Sequence, residues 1–145
     1  MDRILMHLAF WSFQIINTLT ACLMTFIPQQ FHESLFKNPE IVYDKLGFSS
    51  IAVEMFHNVI RGHGTVLLAV SIFIFIKGIK SRSVYLLIAI VCTLSVYAHV
   101  MTLSQHLRTE DIVRVIGNFG SLYVTILITA AVGIMNCVVY YKWKN

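Results

Sequence analysis

The stretch SVYLLIAIVCTLSVYAHVMTL, Ser83 to Leu103, decides the fold of this chain. It contains no Asp, Glu, Lys or Arg, and Lys77, Lys80 and Arg82 stand just before it. A bilayer core is about 30 Å thick and an α-helix rises about 1.5 Å per residue, so roughly 20 such residues cross it. Cys92, Ser95, His99, Thr102 and then His106 recur at spacings of three, four and seven. At about 100° per residue they share one face of a helix. Lipid tails offer these groups no partners, so the face is expected to point into a bundle.

Working outward, the same reading finds three more apolar segments, Ile4 to Ile27, about Asn58 to Ile76, and Phe119 to Tyr141. Each carries its own polar stripe. In the first it is His7, Gln14, Thr18 and Thr25, with Cys22 at its edge; in the last it is Arg114, Asn118, Ser121, Thr125, Thr129 and Asn136. The second segment is the shortest, because its uncharged run starts only at Gly62 and it reaches full length by taking Arg61 into the helix. A re-entrant segment is the alternative there. The prediction is an all-α, integral membrane, four-helix up-down bundle forming a single domain over residues 1–145, with spans at about 4–27, 58–76, 83–103 and 119–141.

Composition agrees. The chain is 57% hydrophobic and 12% charged, with a mean hydropathy of +0.74, outside the range of a soluble domain. The first segment is too long for a signal-peptide core and has no small-residue cleavage site before Pro28, so it is expected to be a mature helix. Cys22, Cys92 and Cys137 all fall inside apolar segments, which points to neither a disulfide framework nor a zinc site.

The net charge of +4 does not form a nucleic-acid patch, since the basic residues sit at segment ends. One set of ends holds Arg3, Lys77, Lys80, Arg82, Lys142 and Lys144 against the single acid Asp2. The other holds Lys37, Lys45, Arg61, Arg108 and Arg114 against Glu33, Glu40, Asp44, Glu54, Glu110 and Asp111. By the positive-inside rule a multi-pass protein with both termini in the cytoplasm is expected.

The long connection after Pro28 is broken by Asn38, Pro39 and Gly47 and is expected to lie on the outer surface, partly as a short amphipathic helix. From Ile51 the pattern turns helical, with Glu54, His57, Asn58 and Arg61 as a polar stripe that runs into the second span. The short Lys77–Arg82 turn predicts that the second and third spans are antiparallel neighbours.

Ser, Thr and Asn in membrane helices ordinarily serve as interhelical glue. Ionisable residues at depth are the stronger functional signal, because a charge near the bilayer centre costs a few kcal/mol. Counting rise per residue gathers Glu54, His57, Arg61, His63, His99, His106, Arg108 and Arg114, with Asn118, in one outer-facing zone. A quinone or similar small ligand could be oriented there by Arg61, His63, His99 and Arg114. Haem or metal ligation would fall to His63 with His99, the best-matched pair in depth. His57 and His63 are six apart and point about 120° away from each other, which excludes two haems on straight helices. Glu54 and His57 form an ExxH spacing, but the spans supply too few further carboxylates for a di-iron site. Glu54 with Arg114 is the expected ion pair. Gly62 and Gly64, flanking His63, predict a tight helix crossing, and Gly117 and Gly120 invite the same reading.

The run Val59-Ile60-Arg61-Gly62-His63-Gly64-Thr65-Val66-Leu67-Leu68-Ala69, set after one span and a long outer connection and before a short basic turn, resembles the DoxX-like small membrane proteins. The resemblance implies a four-helix membrane fold and a link to membrane redox work, including a quinone-reducing thiosulfate oxidation complex. This chain has no redox cysteine pair, which argues against an oxidoreductase acting alone. Three functions follow as expectations: an accessory subunit of a larger membrane complex or homo-oligomer, a ligand-binding bundle with its site at the outer face, and an enzyme using a histidine as acid-base. No nucleophile, carboxylate pair or metal triad supports the last. Four spans without a pseudo-repeat leave little for transport.

Overall fold

The computed structural model describes residues 3–35, 49–107 and 119–143. These form α1 (Arg3–Phe26), α2 (Pro28–Leu35), α3 (Ser50–Lys77), α4 (Arg82–Leu107) and α5 (Phe119–Lys142), with no strand among the described residues. Helices α1, α3, α4 and α5 are long and apolar enough to cross a membrane. The all-α up-down bundle is therefore the observed fold.

Local chemistry sets the helix ends. Pro28 has no N–H to continue the α1 ladder, and its fixed φ suits a first helical position, so α2 starts there. Ser49 caps α3: its backbone is extended and its Oγ accepts from the Ala52 N–H at 3.3 Å. The amphipathic lead-in then continues unbroken into the second span as one helix of 28 residues. At about 1.5 Å per residue it is ~42 Å long, which exceeds the bilayer core and removes any need for a re-entrant turn. Gly78 ends α3 with φ of +72°, and its N–H reaches the Ile74 carbonyl at 2.9 Å.

The helix neighbours differ from the expected order. Helix α1 packs along α3, α4 packs along α5, and the two pairs are joined through α1 and α5, while α3 and α4 share no substantial face despite their short connection. The reason lies in where each helix has small and polar residues. A Cβ on Gly64 would lie 2.6 Å from the Met24 Cβ and 2.8 Å from the Thr25 nitrogen, so glycine allows α3 to approach α1 to near backbone contact. A Cβ on Gly133 would lie 2.9 Å from the Cys92 Cβ, which marks the same kind of approach between α5 and α4. The tight turn restrains only the ends of α3 and α4, and their packed faces are turned toward α1 and α5.

The hydrophobic core sits at the end of the bundle that carries the termini and the Gly78 turn. Ala9, Phe10, Phe13, Ile74, Val84, Tyr85, Ile88, Cys92, Val132 and Val139 form it. Tyr85 is fully buried and its hydroxyl donates to the Ile79 carbonyl at 2.8 Å, tying α4 to the turn. Arg82 lies over the Tyr140 ring at 4.5 Å, and Trp143 stacks near Tyr85 at 5.6 Å, so the end is sealed by aromatic and cationic groups.

Candidate functional site: a polar seam and an open outer end

Buried polar side chains join the helices inside the bundle. On α1, Gln14 donates to the Ser71 carbonyl at 3.1 Å, and Asn17 donates to the Leu67 carbonyl at 3.2 Å and to the Ser71 Oγ at 2.6 Å. On α5, the fully buried Asn136 donates both to its own helix at the Val132 carbonyl (2.8 Å) and across to the Ala9 carbonyl of α1 (3.1 Å). Gln14 Oε1 and Asn136 Oδ1 are buried acceptors that receive no hydrogen bond. Each such seam bond in a membrane bundle is worth about 0.6–1.7 kcal/mol.

The stripes point inward for most of their described length. Gln14, Cys92 and Asn136 are buried, and Thr18, Cys22, Thr25, Ser95, His99 and Thr129 are half-buried; His7, at the terminal end, and Thr125, in the outer half of α5, are exposed. Asn17 and Ser71 were not among the expected stripe residues, although they form a hydrogen bond of 2.6 Å between α1 and α3. The signal that reaches them is the three- and four-residue continuation Gln14, Asn17, Thr18, Ala21, a tighter period than the seven-residue one that stands out first.

Among the described residues, burial on α4 and α5 thins toward the outer end. No residue of α4 beyond Cys92 is buried among those described, and on α5 burial begins only at Val132. On α3, Glu54, Asn58, Arg61 and His63 are exposed and His57 is half-buried. Arg61 is held on its own helix, its Nη1 donating to the Asn58 Oδ1 at 2.7 Å. Counting back about 20 residues from Lys77 puts the outer boundary near His57 and places His63 about 9 Å inside it. His99 is half-buried on α4, but the helices that bear His63 and His99 do not pack on each other. His106 lies on the last turn of α4, its side chain outside the described ones. Arg108, Arg114 and Asn118 lie outside the described residues, and with Arg114 the expected pair to Glu54.

Among the described residues no three of His, Cys, Asp and Glu come close enough to hold a metal ion. Cys22, Cys92 and Cys137 are free thiols. Of the two glycines around His63 only Gly64 makes a tight crossing; a Cβ on Gly62 would meet nothing within 4 Å. Gly117 lies outside the described residues. Comparison of the chain with protein-family models, with curated proteins and with solved structures finds no match.

Proposed function

We propose that this protein is a subunit of a larger membrane assembly, inserted with both termini in the cytoplasm, whose partner packs into the open outer side between α3 and α4. The observation that carries the reading is that, among the described residues, the fully buried positions of α4 and α5 lie in their terminal halves, while polar side chains continue into the outer half. Ser95 and His99 on α4 and Arg61 and His63 on α3 occupy the outer half, and among the described residues α3 and α4 share no substantial face. A polar group facing lipid is costly, and a neighbouring chain relieves the cost by packing and hydrogen bonding. Each candidate span buries at most a third of its most apolar window, leaving broad surface for another chain.

The resemblance of residues 59–69 to the DoxX-like proteins favours a redox-linked complex as the setting. The test is gentle extraction from the native membrane followed by native mass spectrometry. Recovery of this 16.5 kDa chain in fixed ratio with a second membrane protein is the expected result. Recovery only as the monomer, or as integer multiples of its own mass, would overturn the proposal of a heteromeric assembly.

A further inference from the structure

Beside the contact of α4 with α5 at Gly133 lies an open groove of about 460 Å³. Val96, Ile134 and Val138 wall it, and it ends at Tyr141 and Lys142. Its polar lining is quiet: the Thr93 hydroxyl donates to the Ala89 carbonyl of its own helix at 2.8 Å. The groove therefore offers an apolar wall and one cationic mouth. Its other end is at Thr129 and Ala130, and about 13 residues of helix separate these from Lys142, or ~20 Å along the axis. That length takes it from the membrane boundary past the middle of a core about 30 Å thick.

Shape and charge together select an occupant. A convex helix surface is wetted by lipid without preference, whereas a groove that starts between α4 and α5 at Cys92–Val96 and follows α5 to Lys142 at the boundary fits a single extended acyl chain. The mouth lies at the end of the bundle where Arg3, Lys77, Lys80, Arg82 and Lys142 gather. The described acids, Glu33 and Glu54, lie toward the opposite end. Tyr141, which is 80% exposed, stands beside Lys142 as an interfacial aromatic.

We propose that the α4–α5 groove is a binding site for one acyl chain of an anionic phospholipid, with the headgroup phosphate paired to Lys142. The site is separate from the outer end and does not rest on the assembly reading. Both the fit and the charge preference can be read on the full chain in nanodiscs of equimolar phosphatidylglycerol and phosphatidylcholine with matched acyl chains. Native mass spectrometry is expected to find one retained lipid, with phosphatidylglycerol favoured about fivefold, the gain expected of one basic residue near an anionic headgroup. K142Q should equalise the two lipids, and A130W, which fills the groove, should lower retention of both by about fivefold or more. A phosphatidylglycerol bearing a diazirine in its acyl chain should label the half-buried Val96 and Val138 of the wild-type protein more than the exposed Val124 and Leu127. Equal retention of the two lipids by the wild type, or labelling spread evenly over these faces, overturns the proposal. The photolabelling decides it even where A130W fails to fold.

Discussion

The α1–α3 seam and the α4–α5 seam each contain a glycine at a close approach, yet they hold their helices together over different lengths. Along α1–α3, contact runs from the Gln14–Asn17–Ser71 hydrogen bonds to the Gly64 crossing under Met24 and Thr25. Along α4–α5, the approach at Gly133 and Cys92 is followed outward, beyond Val132, by no buried residue among those described. In lipid there is little hydrophobic drive to bring helices together, so close packing and directional bonds must do it. A glycine alone supplies one point of contact. Along α1–α3, polar bonds at a second depth extend that point into a seam.

The sharpest break of this comparison is at Gly64. G64A should destabilise the bundle by about 2–3 kcal/mol in a denaturation series in mixed micelles, since the new Cβ would run into the Thr25 backbone as well as a side chain. The neighbouring G62A, with open space around it, should be neutral or stabilise by up to ~1 kcal/mol through helix propensity. Equal effects of the two changes would refute the tight crossing.

Next in size is N136A, which removes the bonds to Ala9 and Val132 at a fully buried site and should cost about 2 kcal/mol in the same series. A loss under ~0.5 kcal/mol would mean that the joint between the two helix pairs does not depend on it. Smaller again, a double-mutant cycle of N17L and S71A should return a coupling of about 0.6–1 kcal/mol for the bond at 2.6 Å. Additive effects would remove the polar explanation of the long seam.

The smallest effect on stability is expected at the open end. H99L should change the stability of the isolated chain by less than ~0.5 kcal/mol, because no described residue in the surrounding outer half of α4 is fully buried. The same variant should lose the co-extracted partner if the outer side is an interface. Full retention of the partner would move the interface to another face.

Much of this architecture was legible in the chain. Long uncharged runs mark the four membrane-crossing helices, and the Ser49 and Gly78 ends follow from capping chemistry close in sequence. The close approach at Gly64 could be read from a glycine at a helix entry, but the absence of any neighbour around Gly62 could not, because both have the same sequence context. The candidate site was legible as a list of ionisable residues at similar depth. Depth comes from counting along one helix, whereas meeting requires two helices to turn the right faces toward each other. His63 and His99 have matched counts, and their helices nevertheless do not pack.

By itself the sequence determined the helical class, the span count and the polar stripes, because hydropathy and a period of 3.6 residues are properties of single segments. Only the tertiary structure decided that α3 lies against α1 rather than α4, that Asn17 and Ser71 bond across the seam, and that a groove lies beside the α4–α5 contact. These depend on the rotation of each helix about its axis, which is set by the sum of close contacts such as Gly64 on Met24 and Gly133 on Cys92. A short connection limits only how far apart two helix ends can be. It does not choose which faces meet.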